Sequence, residues 1–168
     1  MTILNEDNLI DQQSEQLPNC SGLAEFYLKA LVSHARASSA PVTLDVQGVP
    51  LTSGPQPAIE NRVVLTPQEG RLRHFQSLHY ARPIGSALLV GYDLTGARRA
   101  RGLGGFVDLG GANQGVMDAL RHLMDFIEQS VILQAIQDTT GAGGTTASKL
   151  ATPPQNARQP TVRYIIDS

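Results

Sequence analysis

From residue 113 to about residue 137 the chain carries one long helical stripe. Val116, Leu120, Leu123, Ile127 and Val131 recur at helical spacing, and Met117, Met124, Leu133 and Ile136 widen the apolar face. Asn113 stands where an N-cap residue belongs. A helix this apolar on one side has to be covered, and the cover has to come from elsewhere in the chain. The segments able to supply it alternate rather than spiral. Val42, Leu44 and Val46 interleave with Thr43, Asp45 and Gln47 as a half-buried strand does. Residues 62–65 read as a short second strand, and 87–90 with Tyr92 beyond as a central one.

Two more helices complete the cover. One starts at Ser21 and runs to about Ala37 with Leu23, Tyr27, Leu31 and Ala35 on one stripe, ending ahead of Pro41. The other is announced by Thr66-Pro67-Gln68-Glu69, with Thr66 as N-cap, Pro67 at the first helical position and Glu69 three residues after the cap. It runs to about Tyr80 with Leu72, Phe75 and Leu78 inward. Residues 97–109 return as a hairpin partner, with Gly102, Gly104 and Gly105 marking a bulge or a tip. The expected class is therefore α/β in the α+β sense, one small mixed sheet under about three helices. Four segments are expected: an acidic arm over 1–20, a globular core over 21–138, a Gly/Thr/Pro-rich linker over 139–160, and a C-terminal strand over 161–168 in which Val162, Tyr164 and Ile166 alternate with Arg163, Ile165 and Asp167.

Composition narrows the class of protein. With 41% apolar and 17% charged residues in 168, the chain is neither disordered nor fibrous and is long enough for one packed core. Cys20 is the only cysteine, so an intrachain disulfide and a thiolate-rich metal site are both excluded. No run approaches the roughly 20 apolar residues of a membrane span, and 1–20 lacks a signal-peptide pattern, so a cytoplasmic or intracellularly assembled particle is the expected setting. The net charge of −2 hides segregation: seven arginines stand between 62 and 101 against Glu69 and Asp93, while 102–138 carries five acids and only Arg121.

No pattern of residues announces catalysis. The four histidines, 34, 74, 79 and 122, form no His-Glu-x-x-His pair, and His74 and His79 would fall on different faces of the expected helix. Ser86 is not in a Gly-x-Ser-x-Gly elbow. Asp93 and Asp108, at the ends of strands, are the carboxylates able to meet. No cofactor motif and no metal site are found: the glycines Gly102, Gly104, Gly105, Gly110 and Gly111 lack both the Gly-Lys-Ser/Thr of a phosphate loop and the third glycine of a dinucleotide fingerprint.

Arginine remains the informative residue. Arg71 and Arg73 in one element and Arg98, Arg99 and Arg101 in the next suit a patch for an acidic partner surface, since the rigid guanidinium fork pairs with carboxylates. Scarce lysine and the absence of interleaved aromatics speak against nucleic acid. The element order is similar to that of small α/β adaptors such as secretion chaperones and the subunits that cap viral and contractile tails, a resemblance that carries over no residue. The expectation is a non-enzymatic adaptor or assembly subunit in a homo- or hetero-oligomer. It would bind neighbours through its terminal extensions, including Val162, Tyr164 and Ile166, and through the arginine patch. The alternative is an anionic-ligand or enzymatic domain using the 102–115 turn with Arg98, Arg99 and Arg101.

Overall fold

Long antiparallel ladders, rather than helices, organise the chain. The computed structural model describes residues 9–51, 58–96, 114–148 and 164–165. Strand β2 (Val42–Leu51) pairs with β3 (Ala58–Pro67) from Val42 opposite Pro67 to Leu51 opposite Ala58. Next comes β4 (Phe75–Ile84), paired along its whole length with β5 (Ala87–Gly96). The two-residue loop between them is Gly85-Ser86, with Gly85 at the φ of 59° that such a tight turn demands. Strand β1 (Leu9–Leu17) lies on the far side of β5, and β6 (Tyr164–Ile165) pairs with its Gln13 and Ser14. The sheet order is β2-β3-β4-β5-β1-β6, and every described pair is antiparallel.

After a 3-10 turn at Ser21–Leu23, helix α1 (Ala24–Ala37) carries the chain over one face of the sheet, from β1 to β2. Helix α2 (Gln114–Ile127) runs through a π-helical turn (Glu128–Ile132) into α3 (Leu133–Ser148), and α1 packs against α3 and the π turn. Tyr27, Leu31, Leu120, Ile127, Val131 and Ala135 meet Val63, Leu65, Leu88 and Val90 of the sheet, each at 2% exposure or less. Full burial of each such Leu, Ile or Val contributes about 1.5–3 kcal/mol. Among the described residues no helix is long and apolar enough to cross a membrane.

The α+β class read from the sequence is the class found, with an antiparallel rather than a mixed sheet. The helix expected over 66–80 is corrected. The Thr66-Pro67-Gln68-Glu69 signal yields a single turn, in which Glu69 O accepts from Arg73 N at 3.0 Å, and the chain then enters β4. Leu72 anchors that turn at 2% exposure. Pairing with β5 satisfies the backbone of 75–84 along ten residues, which outweighs one local cap. The acidic arm is corrected for residues 9–17, whose backbone is claimed by β5, while 1–8 lie outside the described residues. The linker is corrected for 139–148, which continue α3, while 149–160 lie outside the described residues.

Helix α3 holds a close approach that composition conceals. Cys20 is 1% exposed beneath it, its thiol facing the Thr139 carbonyl at 3.8 Å, and burial pushes the thiol pKa up. A Cβ on Gly143 would stand 2.6 Å from Cys20 Sγ. Glycine to alanine inside a helix ordinarily gains up to about 1 kcal/mol. Gly143→Ala is expected instead to lose about 1–3 kcal/mol in urea unfolding through overpacking. In a Cys20→Ala background the same change is expected to become neutral or stabilising.

Candidate functional site

The two faces of the sheet differ chemically. Val63, Leu65, Phe75, Val90, Tyr92 and Leu94 face the helices, so by strand alternation Glu60, Arg62, Tyr80, Arg82, Gly91 and Asp93 share the opposite face. There Arg62, wholly buried on β3, spans β4 and donates from Nη1 to Asp93 Oδ2 on β5. The same Nη1 is 3.4 Å from the Leu78 carbonyl, and Nε donates to Glu60 Oε2 at 2.7 Å. Glu60 also accepts from Arg82 Nε at 2.5 Å and Nη2 at 2.9 Å, while Gln12 of β1 donates to Asp93 Oδ1 at 2.7 Å.

Tyr80 is the platform of this network. The guanidinium carbons of Arg62 and Arg82 lie 4.8 and 4.4 Å from its ring centroid, within cation–π range. Gly91 makes the room: a Cβ there would meet the Gln13 carbonyl and stand 2.8 Å from Tyr80 Oη. Burial raises the Tyr80 hydroxyl pKa, with Asp93 adding to the rise. Burial would also raise the Glu60 carboxyl, but the Arg82 hydrogen bond and the charges of Arg62 and Arg82 outweigh it and hold it low. Two arginines face two carboxylates, so the network is balanced in charge, yet Arg62 Nη2 has no hydrogen-bond partner.

On the helix face, Ser77 Oγ and His79 Nε2 lie 3.1 Å apart, and His79 stacks obliquely on Tyr92 at 5.3 Å. His79 Nδ1 has no partner, so no acid orients the imidazole as a catalytic dyad requires. Burial first, then the Arg62 charge, lower its pKa from 6.5 to about 3, which keeps it neutral and a poor base.

A third feature is exposed. On the helix side of the β2–β3 hairpin, Val46 is 59% and Ile59 72% exposed, and Ile59 Cγ2 comes within 2.8 Å of where a Gly48 Cβ would be. The two apolar side chains thus flank bare backbone beyond the helical cover. The edge of β2 that pairs with no strand among the described residues is blunted. The Ala40 carbonyl takes the Val42 amide at 2.8 Å, Asp45 Oδ1 takes the Val46 amide at 2.8 Å, and Pro50 has none to offer.

A fourth is concave: a half-open cleft of about 30 Å³ between β1, β5 and the π turn. Gln13, Glu15, Tyr27 and Glu128 are among its lining side chains.

Of the residues singled out from sequence, Asp93 belongs to the buried network and the others do not join it among the described residues. Arg71 and Arg73 are exposed in the turn between β3 and β4. Arg98, Arg99, Arg101, Gly102, Gly104, Gly105, Gly110, Gly111 and Asp108 lie outside the described residues, as do Val162 and Ile166. Tyr164 pairs with Ser14 of its own chain in β6. Asp93 pairs with Arg62, and Asp108, the carboxylate expected to meet it, is among the residues not described. Arg62 and Arg82, counted only as part of the basic stretch, are the arginines that build a buried network. The missed signal was Arg62 against Val63, Val64 and Leu65, and Asp93 within an equally apolar strand: lone opposite charges in two strands that read as buried. Compared with protein-family models, with curated proteins and with solved structures, the chain finds no match.

Two outcomes test this account. Asp93→Ala leaves Arg62 buried and uncompensated and is expected to cost about 3–5 kcal/mol in chemical denaturation, whereas Arg62→Met with Asp93→Leu costs markedly less than the two single changes together. In the folded state His79 resists protonation that the unfolded chain accepts below its usual 6.5, so stability is full above that value and is lost as pH falls towards about 3. From about pH 7.5 to about pH 5, wild type is expected to lose about 2 kcal/mol more than His79→Gln.

Proposed function

We propose that this chain is a non-enzymatic assembly or adaptor subunit whose principal contact surface is the outer half of the β2–β3 hairpin. The observation that carries the reading is the pair Val46 and Ile59, largely exposed on one face of the outermost hairpin, with Gly48 between them baring the backbone. Scattered exposed apolar residues are ordinary, but two that flank a glycine on a rigid ladder make a flat, dry, pre-ordered contact that loses little entropy on docking.

The blunted edge of β2 directs the mode of contact. Strand addition needs free outward amides in a row, and those at 42, 46 and 50 are satisfied or missing, so docking proceeds through side chains. Arg71 and Arg73, exposed on the β3–β4 turn, supply positive charge that steers and selects an acidic neighbour. The terminal extensions complete the contact in this reading.

Light scattering across a concentration series, with affinity capture run alongside, tests the proposal. Expected is either a mass above the 18.0 kDa of one chain or a captured partner, in each case abolished by Ile59→Glu with folding intact. A monomer at every concentration whose captured proteins are identical for wild type and Ile59→Glu would overturn it.

A further inference from the structure

The distal end of α3 has the geometry of a helix and the composition of a linker. Three of the four residues from Gly141 to Gly144 are glycine, the poorest helix former but proline. In a folded chain the packing of an apolar face offsets such a preference. Here that face stops short. Ile127, Val131 and Ala135 are at 1% exposure or less, whereas from Gly141 to Gly144 only Gly143 is buried, and it has no side chain to pack. It lies over Cys20 Sγ, Leu23 and the Asn19 carbonyl. Asn19 itself holds a φ of 59°, alone in that region among the described residues other than glycine, so the seat departs from the favoured backbone as the helix above it does.

A stopping point lies just ahead of the glycines. Thr140 Oγ1 donates to the carbonyls of Ile136 and Gln137 at 2.9 and 3.1 Å. The Gln137 carbonyl is the acceptor that loses its amide partner when the helix opens from residue 141, and a second donor is already in place. Gly141 then stands just past the end of the shortened helix, where glycine is the preferred residue. What remains is held. Thr139 is wholly buried, and Asp138 pairs with His34 of α1 at 2.7 Å.

We propose that Gly141–Ser148 is a latch that unwinds as a unit while the rest of the fold stays closed. Opening bares the Cys20 thiol and Leu23. It also lengthens the chain leaving α3 from about 1.5 Å to as much as about 3.3 Å per residue, so the point from which the chain continues past residue 148 moves outward. The device stands independently of the hairpin contact proposed above.

Cys20 is the only cysteine, so its thiol reports the opening directly. The test labels the full chain with iodoacetamide across low urea concentrations and follows amide hydrogen exchange by NMR. Local opening exposes little surface, so labelling is expected to be nearly independent of urea well below the unfolding midpoint. The amides of 141–148 are expected to share one opening constant, larger than that of 127–136. Gly141 and Gly144 have open space where a Cβ would stand, so alanine at either is expected to slow labelling about fivefold, and at both about twentyfold. Gly143→Ala, which cannot seat over Cys20, is expected to speed it about tenfold. The exchange comparison uses wild type alone and holds whether or not a variant folds. Labelling that accelerates with urea as steeply as global unfolding does, protection that falls residue by residue towards Ser148 as in ordinary fraying, or a rate unchanged by alanine at both 141 and 144 would overturn the proposal.

Discussion

The contact between Arg62 and Asp93 fixes how the central strands lie. It joins β3 to β5 across β4 at positions that are 0% and 1% exposed, so both charges have given up water and depend on each other. Side chains alternate along a strand, and a slip of one residue in β3 would bring Arg62 to the apolar, helix-covered face of the sheet. No hydrophobic residue imposes so large a penalty for the wrong register. Tyr80, Glu60, Arg82 and Gln12 then extend the same constraint to the flanks, and Gly91 is the space that lets the tyrosine ring lie flat. The network is thus a register device first, and its small net contribution to stability is compatible with that role.

Legibility from the sequence followed the range of the interaction involved. Helices with long stripes, α1 and α2 with its continuation, are visible because their signal is local and repeated. Strands β2 and β5 show through alternation and an apolar run. Residues 66–80 misled because a good N-terminal signature at Thr66 to Glu69 is local, whereas the ladder that overrides it pairs Phe75 with Gly96, beyond the reach of any window. The Gly85-Ser86 pair between two extended runs was the available hairpin signal, and it outranks the cap once read as a two-residue loop. Strand β1 hid for a different reason. Its residues, Gln12, Gln13, Ser14, Glu15 and Gln16, have the composition of an exposed arm, and only the partner strand reveals them as a sheet member. The candidate sites were legible as residue types and not as places, since they are assembled from β1 to β5, α1, the π turn and α3.

The four features divide into two kinds. The charge network and the Ser77–His79 contact are enclosed and act on stability and register. The hairpin patch and the cleft face outward, one as exposed apolar area and the other as a half-open concavity. Placement keeps them apart: the patch sits on the outermost strands β2 and β3, the cleft on β1 and β5 at the other side of the sheet.

The place of β1 in the sheet has a consequence for how the chain comes into being. Strands β2 to β5 form a meander whose neighbours in space are neighbours in sequence, but β1 is synthesised first and pairs with the strand synthesised last among them. Until residues near Gly96 leave the ribosome, β1 has no partner, and α1, whose Tyr27 and Leu31 belong under α3, has only part of its cover. The waiting segment is hydrophilic for the most part, with three Gln beside Asp11, Ser14 and Glu15, which suits a strand that must stay solvated while the rest is made. Closing β1 against β5 spans some 80 residues and is therefore the entropically costly, slow pairing among strands β1 to β5. The composition that disguises β1 as an arm is also what allows it to arrive early and pair late.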